Sequence, residues 1–115
     1  MPPAHYAEAA KIYASEDNRL AYAHTIRHIA DLLLEQAKYA EATPIYEEAL
    51  EIYRSNLDTK LLDIANTVRP YALLNEATGH LKAARQYWQE ACNLYASLRL
   101  DVGVDECSKH LAALL

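Results

Sequence analysis

One eight-residue phrase occurs three times in this chain, as Tyr6-x-Glu8-Ala9-x-x-Ile12-Tyr13, Tyr46-x-Glu48-Ala49-x-x-Ile52-Tyr53 and Trp88-x-Glu90-Ala91-x-x-Leu94-Tyr95. The copies start 40 and then 42 residues apart (46 − 6 and 88 − 46). A period of that length belongs to chains made of helical hairpins, because one hairpin cannot bury its apolar face alone and must stack on the next. The middle copy closes the stretch Lys38 to Tyr53. There Ala42, Ile45, Tyr46, Ala49, Leu50 and Tyr53 recur at three- and four-residue intervals and form one apolar stripe. Glu41, Glu47, Glu48 and Glu51 fall largely on the other face, and the small Ala42 and Ala49 let a neighbouring helix come close.

Taken in order, the pattern predicts six helices. The first runs from about residue 3 to 15, with proline tolerated in its opening turn and Tyr6, Ala9, Ala10, Ile12 and Tyr13 on its apolar face. A second, over 19–36, buries Ala23, Ile26, Ile29, Ala30 and Leu33 and presents His24, Arg27, His28, Asp31 and Glu35 on its polar side. After a tight turn at Ala37-Lys38, the stretch just described continues to about Asn56. A fourth helix over 59–78 repeats the second, since Ala23-x-Thr25-Ile26-Arg27-x-x-Ala30 maps onto Ala65-x-Thr67-Val68-Arg69-x-x-Ala72. Gly79 then acts as a helix stop. A fifth over 81–98 carries Ala84, Tyr87, Trp88, Ala91, Cys92 and Tyr95 in the roles of the third, and a sixth over 104–115 resembles the first half of another hairpin. Pro70, deep in the fourth helix, removes the bond to the Asn66 carbonyl and predicts a kink between these two residues.

Composition bounds the rest. A chain of 115 residues with 52% apolar residues has enough core for one small domain, 1–115, and two Gly and four Pro suit an all-α chain. A net charge of −5 with only 11 Lys and Arg argues against a nucleic-acid partner. The apolar runs are far too short for a bilayer and the amino terminus lacks a secretory pattern, so a cytoplasmic protein is expected. Cys92 and Cys107 lack metal-type spacing and are expected as buried reduced thiols, a disulfide between them being the lesser alternative.

These residues resemble a tetratricopeptide repeat, and in particular the longer variety of roughly 42 residues found in kinesin light chains. The likeness is carried by Thr25-Ile26-x-x-Ile29-Ala30-x-Leu32-Leu33-x-x-Gln36-Ala37-Lys38-Tyr39-x-Glu41-Ala42-x-Pro44-Ile45-Tyr46-x-x-Ala49-Leu50-x-Ile52-Tyr53, and more loosely by Val68, Ala72, Leu74, Gly79, Leu81, Ala84, Trp88 and Ala91. Ala37 stands where the family usually has glycine. Arg27-His28 and Arg69-Pro70 replace a pair that is commonly asparagine in the long variety. The resemblance implies an all-α, right-handed superhelical stack of antiparallel hairpins, whose first helices line a concave groove that binds peptides or protein partners.

The polar faces of those first helices are therefore the candidate site. In register they give Arg27, Arg69 and Lys109 as one row, with His24, Asn66 and Glu106 beside it and His28, Pro70 and His110 on the other flank; Asp31 and Glu76 complete the set. Cations with amide and imidazole donors suit an acidic or extended protein segment. The competing reading is a merely solvated surface, with Arg27 paired to Asp31 four residues on. His24, His28 and Asp31 have a spacing compatible with a metal, yet no glutamate adjoins the first histidine as in a zinc protease helix, so neither metal nor cofactor is expected. No glycine-rich phosphate loop or nucleophile elbow is present, which excludes the commonest enzyme signatures. The alternative function is assembly, as a homodimer or part of a longer array, through apolar ends carrying Tyr6, Tyr13, Leu111, Leu114 and Leu115.

Overall fold

A computed structural model describes residues 18–115. Five helices follow one another: α1 (Arg19–Glu35), α2 (Tyr39–Ser55), α3 (Leu61–Ala77), α4 (Leu81–Ser97) and α5 (Asp101–Ala113). The helix expected over 3–15, with Tyr6 and Tyr13, lies outside the described residues. Four helices match their expected spans to within two residues. The last begins at Asp101, three residues before the expected Val104. The chain falls into two compact units, Met1–Thr59 and Lys60–Leu115; the helices pair as α1 with α2 in the first, and as α3 with α4 and α4 with α5 in the second.

The same short connection ends α1, α3 and α4. After α1, the Lys38 amide donates to the Leu33 carbonyl (2.8 Å) and the Ala37 amide to that of Leu34 (2.9 Å), closing the helix with two carbonyls satisfied. After α3 the matching bonds run from His80 to Asn75 and from Gly79 to Glu76, and after α4 from Leu100 to Tyr95 and from Arg99 to Ala96. Each closure needs one residue with positive φ: Ala37 at 58°, Gly79 at 81° and Arg99 at 57°. Only Gly79 adopts this without a Cβ penalty. The closure at Arg99 also explains the early start of α5, because it releases the chain into a new helix immediately after Leu100.

In the first unit, Tyr22, Ala23, Ile26, Ile29, Ala30 and Leu33 of α1 are buried against Ala42, Tyr46, Ala49, Leu50, Ile52 and Tyr53 of α2. Ala23, Ala30, Ala42 and Ala49 have no exposed surface, so the two backbones approach with only methyl groups between them. The fully covered Ile26, Tyr46 and Tyr53 supply the largest hydrophobic gains, about 1.5–3 kcal/mol each for an aliphatic or aromatic side chain of this size. In the second unit Trp88 is completely buried and Val68, Leu74 and Cys107 nearly or wholly so. Tyr71 and Tyr87 pack at a tilt with ring centroids 4.8 Å apart. The unit's buried polar residues Thr67 and Asn75 bond back to their own helix, Thr67 donating to the Asp63 carbonyl (2.7 Å) and Asn75 to the Tyr71 carbonyl (2.8 Å). Helix α3 continues through Pro70 as a single element, with the proline buried.

Gly103, in the first turn of α5, decides how α5 sits on α4. A Cβ there would lie 2.5 Å from Cγ of Tyr95 and within 2.9 Å of both neighbouring ring carbons. A bare Cα lets the helix rest directly on the tyrosine ring.

Candidate functional site

In the second unit, α3, the end of α4 and the start of α5 surround an open cleft of about 500 Å³. Leu62, Leu100 and Val102 form its apolar rim, Tyr95 and Gly103 its base, and Asn66, Arg69 and Glu106 its polar wall. The rim is accessible: Val102 is 85% exposed, and Leu62 and Leu100 are also exposed. Helical periodicity brings the polar wall together, since Asn66 and Arg69 are three residues apart on α3 and so share a face.

Arg69 is not a free cation. Its Nε and Nη2 donate to Oε1 and Oε2 of Glu106 at 2.5 and 2.7 Å, a two-pronged pair between α3 and α5. The hydrogen bonds to Glu106 raise the Arg69 pKa above its ordinary value, burial acting in the opposite sense and the Glu106 charge reinforcing them. The hydrogen bonds from Arg69 hold the Glu106 carboxyl below its ordinary value, burial opposing and the charges of Arg69 and His110 adding to the effect. The two charges cancel locally. The row of three cations read from the sequence thus contains one arginine already matched by a carboxylate of its own chain.

Asn66 is fixed by a tyrosine. The Tyr95 hydroxyl donates to Asn66 Oδ1 at 2.7 Å, across 29 residues of chain. The first unit repeats this contact 42 residues earlier, where the Tyr53 hydroxyl lies 2.6 Å from Nδ1 of His24, again across 29 residues. The ring of His24 also tilts against that of Tyr53, with centroids 5.4 Å apart. Elsewhere in the first unit, the Tyr46 hydroxyl donates to Asp31 at 2.5 Å and the Tyr22 hydroxyl to Glu48 at 2.6 Å. His24 and Asp31 are therefore half-buried partners of α2 tyrosines, while Arg27 is half-buried and His28 exposed. Among the described residues, no group of three or more His, Cys, Asp or Glu side chains is placed to hold a metal ion.

His110 and Glu76 form a separate cluster. One oxygen of Glu76 accepts from the Trp88 indole at 2.6 Å and pairs with Nδ1 of His110 at 2.8 Å. The imidazole also stacks on the indole, with centroids 4.1 Å apart and planes 15° from parallel. These two residues tie α3, α4 and α5 together and do not line the cleft. Lys109 is exposed. Of the residues assigned to self-association, Leu111 and Leu114 are half-buried and Leu115 is fully exposed.

Cys107 is completely buried, and its thiol is pushed up to about 12, mainly by burial, with the nearby Cys92 and Glu106 adding to the effect. Both cysteines are free, and Cys92, expected to be buried, is only half-buried, its Sγ 3.9 Å from Oγ of Ser108. The position reads as apolar in the helical pattern, but it lies at the margin of the α4 and α5 contact.

Reasoning from sequence missed the tyrosines. Tyr53 and Tyr95 read as apolar seam residues, yet their hydroxyls set the orientation of His24 and Asn66. The signal was available in the register: positions 24 and 53 recur as 66 and 95, 42 residues on. The rim of Leu62, Leu100 and Val102 had no such signal, because it depends on where α5 begins.

No helix among the described residues is long and apolar enough to cross a membrane. No curated protein and no solved structure matches the chain. The tetratricopeptide repeat family matches residues 27–97, which run from the middle of α1 to the end of α4. With all-α hairpins, the repeated register and a match over more than half its length, the chain belongs to the tetratricopeptide repeat family.

Proposed function

We propose that this chain is a non-enzymatic protein-interaction module that binds a peptide or protein segment on the polar faces of the first helices of its hairpins. On α1 the residues are His24, Arg27, His28 and Asp31. In the second unit they are Asn66 and Arg69 of the cleft, with Lys109, His110 and Glu76 nearby in the chain or the fold. The observation that carries the proposal is the open cleft, whose accessible apolar rim and polar wall together offer a partner both burial and hydrogen bonds. Membership of a repeat family that works by binding proteins supports the same reading.

The test is a displayed library of short peptides, panned on the full chain and counter-selected on Arg27→Glu combined with Arg69→Glu. Peptides should bind the parent and lose affinity for the variant while helical content is unchanged. Because Arg69→Glu confronts Glu106, a companion variant adds Glu106→Arg to restore the link between α3 and α5. Selected peptides that bind all three proteins equally would remove the assignment to these faces.

A further inference from the structure

The chemistry of the cleft in the second unit narrows what it can hold, given the proposed role as an interaction module. The side-chain acceptors on its polar wall are engaged within the protein: Tyr95 donates to Asn66 Oδ1, and Arg69 occupies both oxygens of Glu106. The donors are not. Asn66 keeps both N–H bonds of Nδ2, and Arg69 keeps Nη1, neither of which has a hydrogen-bond partner among the described residues. Asn66 is exposed and the Arg69 side chain is 40% exposed, so these donors are accessible. The wall therefore offers hydrogen bonds and requires none, while its formal charges cancel.

We infer that this cleft takes an uncharged, extended peptide segment, which presents main-chain carbonyl oxygens to Asn66 Nδ2 and Arg69 Nη1 and lays one aliphatic side chain among Leu62, Leu100 and Val102. A carboxylate would find the same donors, but it would also meet Glu106, and it could engage the arginine's full charge only by displacing that residue from a two-pronged bond. A neutral carbonyl meets no such competition. The apolar rim favours an aliphatic residue between two carbonyls, and an extended backbone supplies that alternation. Tyr95 is a positioning residue in this scheme: by holding Oδ1 it prevents the Asn66 amide from turning its acceptor outward.

The experiment uses the uniformly nitrogen-15-labelled full chain and two capped pentapeptides, acetyl-Ala-Ala-Leu-Ala-Ala-amide and acetyl-Ala-Asp-Leu-Asp-Ala-amide. The neutral peptide should shift the Asn66 side-chain amide and the Gly103 backbone amide. Its affinity should be no weaker than that of the acidic peptide and should change by less than about twofold between low and high salt. Asn66→Asp, nearly isosteric and still able to accept from Tyr95, should weaken the neutral peptide about tenfold, and Asn66→Ala should weaken it by a smaller factor in the same direction. Tyr95→Phe should loosen it severalfold.

Salt-sensitive binding of the acidic peptide alone, or binding that survives Asn66→Asp, would overturn the inference. So would shifts confined to α1, although that outcome leaves the interaction-module reading standing. Loss of that reading requires the separate result that panning the displayed library yields no peptide that binds the parent chain.

Discussion

Replacing Gly103 with alanine sets two effects of known sign against each other. Within a helix, alanine is favoured over glycine by roughly 0.5–1 kcal/mol, so propensity alone predicts stabilisation. The new methyl carbon, however, would sit 2.5–2.9 Å from three carbons of the Tyr95 ring. Carbon atoms pack best at about 3.5–4.0 Å, so either the ring or α5 must move by about 1 Å. Overpacking of that kind costs about 1–3 kcal/mol, and a displaced ring also stretches the hydroxyl bond to Asn66, worth about 1 kcal/mol more. The net expectation is destabilisation by about 1–3 kcal/mol, and each kcal/mol lowers Tm by roughly 4–8 °C in a unit of this size. Trp88, the only tryptophan in the chain, lies in the same unit, so its fluorescence during urea or thermal unfolding reports the change where it occurs. Tyr95→Leu should lessen the penalty, giving a favourable coupling in the double-mutant cycle. A Gly103→Ala protein as stable as the parent, or more stable, would refute the close seating of α5 on Tyr95.

Three further outcomes follow from features described above. Ala37→Gly relieves a left-handed alanine, worth about 1–2 kcal/mol, against an unfolded-state cost of about 0.5–1 kcal/mol, so thermal unfolding of the first unit should rise slightly; a clear loss would contradict the closure after α1. The Glu106 carboxyl is held low in the folded state, so the unfolded chain binds more protons in the acidic range. The stability contributed by its pair with Arg69 is therefore complete above the ordinary glutamate range and disappears as pH falls below it, a trend that Glu106→Gln should abolish in pH-dependent urea melts. A thiol reagent at mildly alkaline pH should modify Cys92 and spare Cys107 until the protein unfolds, because Cys107 has no exposed surface and stays protonated; equal rates in the native protein would contradict its burial.

The helices were legible because alanines and aromatic residues recur at a spacing that admits little else. Ala23, Ala30, Ala42, Ala49, Tyr46 and Trp88 are buried where the periodicity placed them. The start of α5 was not legible, since it depends on Arg99 taking a positive φ and on Leu100 bonding back to Tyr95, and no local pattern marks either event. The candidate site was legible as positions and not as interactions. Asn66 and Arg69 share a wall as their spacing implies, but charge counting could not show that Glu106, 37 residues away, would take up both forks of the arginine. Nor could it show that His110 would stack on Trp88 instead of joining that wall.

The paired contacts of Tyr53 with His24 and of Tyr95 with Asn66 have a consequence for how such a chain can diversify. The phenol stays the same while the group it steadies is an imidazole in one hairpin and an amide in the next. A socket repeated in this way lets the outward chemistry of a module be exchanged by altering a single codon, with the interior that carries the architecture left untouched.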